Sequence, residues 1–261
     1  MLLPDQIAVR VPGWDRELAW ESEPATRTWR LTGPGGQVRY LKTRPADAEP
    51  PLRAEVDRMR WAGTAGLAVP RVVASCQAAG AEWLLTEALE GKDATRSSLR
   101  AEPERLVSLL AAGLRAFHGT PAAGCPFAVT PQDMMARAAE RVRAGLVAQS
   151  DLDADFAGLT PLAALAELTR LGRARLDAAE MVVCHGDYSL PNVLISAGQI
   201  TGFIDLGSLA VADRWSDLAG AALSVTWNLG PEWVDPFLAS YGAERDDEAI
   251  RFYRLCDGLG L

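Results

Sequence analysis

One stretch, residues 181–206 (MVVCHGDYSLPNVLISAGQITGFIDL), constrains this chain more than any other. The apolar run Met181–Cys184 leads straight into His185-Gly186-Asp187. Asn192 comes five residues after that aspartate, and Val193-Leu194-Ile195 resumes the apolar run. A turn at 196–199 leads into residues 200–204, which end on Asp205-Leu206-Gly207. Short apolar runs bounded by turn residues read as strands. Two carboxylates and one carboxamide therefore stand at strand ends, where a rigid scaffold can aim side chains at a ligand.

Phosphoryl transfer needs such a set. The reaction asks little covalent work of a protein, but it needs an oriented nucleophile and neutralised phosphate charge. Asp187 can accept the proton of an acceptor hydroxyl, and Asn192 and Asp205 can offer hard oxygen ligands to magnesium. The spacing is D-x-x-x-x-N followed by Asp-x-Gly, as in kinase catalytic and metal loops. His185-Gly186-Asp187 stands where protein kinases have H-R-D, and Asp205-Leu206-Gly207 where they have D-F-G. Taken singly, an Asp–Asn pair is turn chemistry and an Asp after a strand is a helix cap. Their joint order, each after an apolar strand, favours the kinase loop.

HGDYSLPN, then GFIDLG, then Ala212-Asp213-Arg214-Trp215-Ser216-Asp217-Leu218 resembles the antibiotic kinases of the aminoglycoside 3'-phosphotransferase type. FYRLCD near the C-terminus, CPF at 125–127 and LLTEALEG at 84–91 are similar too, so the likeness covers nearly the whole chain. The resemblance implies an α+β, bilobal protein-kinase-like fold. A small lobe, an antiparallel sheet with one helix, would occupy residues 1–86 and bind nucleotide. A hinge at 87–91 would join it to a larger, mainly helical lobe at 92–261 for catalysis and acceptor binding. It also implies ATP (or GTP) and Mg2+ as cosubstrates, with a small-molecule hydroxyl as acceptor, a cationic aminoglycoside among the candidates.

In the first lobe, residues 1–20 read as an edge strand. Trp29–Leu31, a Gly-Pro-Gly-Gly turn at 33–36 and residues 38–42 read as a hairpin. The glycine cluster fits neither G-x-x-x-x-G-K-[ST] nor G-x-G-x-x-G, and it leads into the strand of Lys42, so it is a turn and no phosphate cradle. The loop over the phosphates is expected at 22–28, beginning with Ser22. Lys42 is one of only two lysines, the other being Lys92, in an arginine-rich chain. A kinase needs a strand lysine on the phosphates, positioned by a helix glutamate. Glu55 suits that role, although Glu49 and Asp57 are near, and the family's L-x-x-E before a Trp favours Glu55. Two more strands follow at 69–73 and 82–86. The resemblance makes 86–88 the adenine-binding hinge, through the Thr86 carbonyl and the Ala88 amide.

From Ser97 the pattern is helical to Phe117, with His118-Gly119 as a stop and His118 as a packed structural histidine. Helices are expected at 131–149, 159–176, 218–227, 231–241 and 248–256. The resemblance implies that the helices at 131–149 and 159–176 and the loop between them build part of the acceptor pocket, with Asp151, Asp153, Asp155 and Glu167 as the acidic candidates. In kinase folds an aspartate at this place holds the catalytic-loop backbone, so the resemblance assigns that structural task to Asp217. Several positions depart from the family. Ser208 stands where an arginine is expected, Leu223 where a basic residue is, Trp227-Asn228 where an acidic pair is, and Gly258 where an acidic residue is. Carboxylates grip ammonium groups through charge-assisted hydrogen bonds, so these departures predict a weaker, relocated or altered acceptor site. Trp227 and Trp233 read as core residues, with an apolar acceptor pocket as the alternative.

The net charge of −8 argues against nucleic acid as a partner, since binding phosphates takes a basic surface. With only two histidines, a His-rich metal site is excluded. No apolar stretch is long enough to span a bilayer, and the N-terminal residues lack a basic n-region, so no membrane partner and a cytoplasmic location are expected. The four scattered cysteines read as reduced thiols. A monomer or weak dimer is expected. The rivals are a kinase of this fold acting on a different metabolite or a non-aminoglycoside antibiotic, and a nucleotide-binding protein without transfer activity.

Overall fold

The computed structural model describes residues 2–22, 26–96 and 98–260. It divides into two compact units, one of residues 1–93 with 192–208, the other of 94–191 with 209–261.

The first unit opens with a short helix α1 (Asp5–Ala8), where the sequence had suggested part of a strand, and then β1 (Asp15–Ser22). β2 (Thr26–Thr32), β3 (Val38–Pro45), β4 (Val72–Ala78) and β5 (Ala81–Glu87) complete an antiparallel sheet of order β1-β2-β3-β5-β4, with β1 at its edge. The turn at 33–36 joins β2 to β3 as the glycines required, and Gly36 sits at φ 79°. Strand side chains alternate between faces. Leu31, Leu41, Trp83 and Leu85 point to one face and are sealed by Ile7 and Val11. Burying each stabilises the unit by roughly 1.5–3 kcal/mol. Lys42, one residue on, therefore faces the other side, towards α2 (Leu52–Thr64). Pro50-Pro51 blocks an earlier helix start, and Leu52, Val56, Met59 and Ala62 form the buried stripe of α2. A second, three-stranded sheet joins β6 (Lys92–Asp93) to β8 (Val193–Ser196) and β9 (Gln199–Phe203), which form a hairpin. Gly202 lies so close to the Ala68 carbonyl that a Cβ would come within 2.5 Å of it.

The second unit is mainly helical: α3 (Pro103–His118), α4 (Pro131–Arg143), α5 (Pro161–Ala178), α6 (Trp215–Leu229), α7 (Val234–Tyr241) and α8 (Asp247–Gly258). Proline opens α3, α4 and α5, where its missing N–H costs nothing. Thr130 and Asp133 close a reciprocal capping box on α4. That helix stops six residues short of its expected end. Gly145 adopts φ 68°, and the Gly145 and Leu146 N–H groups donate to the Val142 and Arg141 carbonyls, a Schellman stop. α6 is apolar nearly all round, with Leu218, Ala219, Ala221, Ala222 and Val225 buried, so it runs through the middle of the unit. A two-stranded ribbon pairs β7 (Met181–Cys184) with β10 (Ala210–Asp213). β10 was not expected. Among the described residues no helix is long and apolar enough to cross a membrane, and all four cysteines are free thiols.

Candidate active site

In the first unit the strand lysine and the helix glutamate meet. Lys42 Nζ lies 2.7 Å from Glu55 Oε2 and 3.0 Å from Asp205 Oδ1. This contact decides between Glu55 and its neighbours Glu49 and Asp57. Glu55 is buried, whereas the Asp205 side chain is half exposed. Burial alone would lower the Lys42 pKa, but the charges of Glu55 and Asp205 outweigh it and hold the ammonium above its ordinary value. Burial pushes the Glu55 carboxyl up, against the pull of the Lys42 charge.

Asn192 and Asp205 come together because they flank the mouth of the β8–β9 hairpin. Val193 pairs with Phe203 across the hairpin, and the Ile204 N–H continues the ladder by donating to the Asn192 carbonyl at 3.0 Å. Asp205 then turns into the left-handed region at φ 61°. For a non-glycine residue that conformation costs on the order of 1 kcal/mol or more and clusters at functional sites.

Other residues expected to meet nucleotide also lie in this unit. Ser22 ends β1 opposite Thr26. The centre of the expected phosphate loop, Glu23, Pro24 and Ala25, lies outside the described residues, as does Ser97. Thr86 is buried near the end of β5 and pairs with Tyr40. The Ala88 N–H, just beyond, donates a long 3.4 Å bond to the Val38 carbonyl.

In the second unit Asp187 sits on the loop after β7. Its N–H donates to His185 Nδ1 at 3.3 Å and its carbonyl accepts the Ser189 N–H. His185 is wholly buried between the rings of Phe117 and Tyr188, and the Tyr188 hydroxyl donates to the Leu110 carbonyl. The buried Asp217 carboxylate accepts the His185 N–H at 2.7 Å and the Gly186 N–H at 2.8 Å. It also accepts His118 Nε2–H at 3.0 Å, so in neutral His118 Nδ1 accepts from the Tyr241 hydroxyl. Burial pushes the Asp217 carboxyl up, but His118 and the His185 amide outweigh that and hold it below the usual carboxylate range. Asp217 thus holds the loop backbone as expected, and His118 is structural. Sequence reasoning missed Ser224, whose Oγ accepts the Leu190 N–H at 3.0 Å. A single serine in the apolar run 218–225 of α6 was the available signal.

The acidic candidates in the second unit are engaged by the protein itself. Asp151 accepts the Ala148 N–H, Arg254 bridges Asp153 and Asp155, and Arg251 makes a two-pronged pair with Glu167. Trp227 is 72% exposed, which overturns the core reading for it, while Trp233 is half-buried. A side chain at Gly258 would press within 3.2 Å of Leu152.

The fold is α+β and protein-kinase-like, and the family described as "APH: Phosphotransferase enzyme family" matches residues 21–253: the chain belongs to that family. Among its relatives, an aminoglycoside 3'-phosphotransferase of Streptomyces fradiae is 36% identical over 250 residues, covering 91% of this chain and 92% of the relative. The streptomycin 3''-kinase of Streptomyces griseus is 35% identical, covering 85% of each chain. The crystal structure of an aminoglycoside-3'-phosphotransferase of type VIII superposes with a TM-score of 0.84 at 31% identity, covering 97% and 96% of the two chains. A Streptomyces rimosus aminoglycoside phosphotransferase solved with ADP and streptomycin superposes at 0.79 and 32%, covering 98% and 96%.

Proposed function

We propose that this protein transfers the γ-phosphate of ATP, or GTP, to a hydroxyl of a small molecule, with an aminoglycoside as the acceptor class. The observation that carries the reading is the Lys42–Glu55–Asp205 cluster, a fixed ammonium beside an exposed carboxylate. A lysine held charged there suits the α- and β-phosphates. The donor set of Asn192 and Asp205, a carboxamide and a carboxylate, fits Mg2+, which favours hard oxygen ligands. When bound, that ion would supply neutralising charge to the phosphates. Ser22 and the loop after it, with the Thr86 carbonyl and Ala88 amide, would receive the rest of the nucleotide. Relatives at 31–36% identity that are named for aminoglycosides, one of them solved with ADP, support the assignment.

In this reading Asp187 orients the acceptor hydroxyl and takes its proton as the oxygen attacks the γ-phosphorus. The bond from that phosphorus to the bridging oxygen breaks, and the nucleoside diphosphate leaves. A second reading, a less cationic acceptor, is favoured by one set of observations: Arg254 already pairs with Asp153 and Asp155 and Arg251 with Glu167, and Trp227 is exposed. A transfer assay with γ-labelled ATP over kanamycin, neomycin, streptomycin and a non-cationic alcohol separates the two. Label on an aminoglycoside supports the first, and label on the alcohol alone supports the second. No labelled product, with ATP still bound, would return the chain to a silent nucleotide-binding protein.

A further inference from the structure

We infer that Ser224 is a positioning residue for Asp187, acting through the backbone of Leu190; this rests on the phosphotransferase reading of Asp187. The loop from His185 to Leu190 has no strand partner, so its buried polar groups must be satisfied otherwise. Asp217 takes the N–H groups of His185 and Gly186 at one end. At the other end, the Leu190 N–H donates to Ser224 Oγ at 3.0 Å, and the Leu190 carbonyl accepts the Ala94 N–H at 3.1 Å. Leu190 and Ser224 are 2% and 4% exposed, so water does not substitute for the hydroxyl.

Asp217 and Ser224 are both on α6, seven residues apart, which is about two turns and about 10.5 Å along the axis. They therefore share one face of the helix, and the loop carrying Asp187 is strung between them. Inside that span the Asp187 N–H donates to His185 Nδ1 and its carbonyl accepts the Ser189 N–H. With Tyr188 held on the Leu110 carbonyl between them, these two helix anchors fix the ends of the backbone from which the Asp187 carboxylate projects. Pro191 strengthens the second anchor, because the residue before a proline has a restricted backbone. Serine is unusual in the middle of an apolar helix, where it competes for backbone hydrogen bonds, so its presence asks for a task.

The test compares Ser224→Ala and Ser224→Thr with the parent protein. Turnover on the acceptor identified with the panel above, KM for ATP, thermal stability and amide exchange of residues 185–190 are all measured. The expected result for Ser224→Ala is a tenfold or larger fall in kcat, with KM for ATP within twofold. Faster exchange would be confined to the Leu190 end of the loop. Ser224→Thr, which keeps the hydroxyl, would recover kcat to within about threefold. Parental kcat in Ser224→Ala overturns the inference. So does a loss that follows global destabilisation, with faster exchange throughout α6. If the parent protein transfers phosphate to no acceptor and hydrolyses no ATP, the reading of Asp187 falls and the inference with it. A working parent with an indifferent Ser224→Ala sinks the inference alone.

Discussion

The two units prepare their chemical groups by opposite means. In the first, the side chains hold one another: Lys42 is fixed by the charges of Glu55 and Asp205, and a strand hairpin supplies the register. In the second, Asp187 sits on a loop whose backbone is tied down from outside. Its loop is held by backbone N–H groups donated to two side chains of a buried helix. A cluster of charges tolerates small displacements because Coulomb energy falls off slowly with distance. A hydrogen-bonded backbone does not, because such bonds weaken steeply with angle and length. Damage to the first unit should therefore appear as weaker phosphate binding, and damage to the second as lost turnover.

The largest effect that would break this contrast is at Asp187 itself. Asp187→Asn should cut kcat by ~10²-fold or more while leaving nucleotide affinity within a few fold. Parental turnover in that variant would remove Asp187 as the base. Asp217→Asn should follow, costing about 3 kcal/mol in urea unfolding, because a buried charge partner of His118 and two backbone amides is lost. Its pH signature is specific. The folded carboxyl titrates below its unfolded value of about 3.9, so its contribution is complete above that pH. It is lost as pH falls towards the folded pKa. The parent should lose stability below about pH 4 more steeply than Asp217→Asn, and identical slopes would mean the carboxylate is not the anchor.

Lys42→Ala should raise KM for ATP about tenfold or more, and Glu55→Gln should raise it less. Added salt should narrow the gap between Lys42→Ala and the parent, since screening weakens the exposed half of the cluster. A kcat loss with unchanged KM would reverse the assignment of tasks to the two units. The smallest effect on stability belongs to Trp227→Ala, within about 0.5 kcal/mol for an exposed position. Acceptor KM should still shift if the aromatic face meets the acceptor, and a KM unchanged across the panel would exclude Trp227 from recognition.

Most of the first-unit site could be read in the sequence because each residue sat beside a strong local signal. Alternation put Lys42 opposite the core face, and turn residues bounded the hairpin that brings Asn192 to Asp205. The anchors of the catalytic loop were half legible. Asp217 could be assigned from its place after Asp205-Leu206-Gly207 by likeness to kinases, but Ser224 bonds a residue 34 positions away, and a lone hydroxyl among apolar neighbours does not say which. β10 was missed because Ala210–Asp213 is short and offers little apolar bulk, so it is a strand by its pairing with β7 and the bridge from Val211 to Ala128. The overrun of α4 had a visible remedy in Gly145, whose left-handed stop outweighs the helix-forming residues around it. Trp227 was misjudged because apolar residues line α6 nearly all round, and periodicity alone does not say which of them meets solvent.

The hairpin that gathers Asn192 and Asp205 turns back at Ala197-Gly198, both with positive φ, at the end away from those oxygens. Strand pairing, and not the length of that bend, sets the spacing of the two residues. The bend is therefore a natural port for engineering: a few extra residues or a reporter dye spliced in there would leave the oxygens in place.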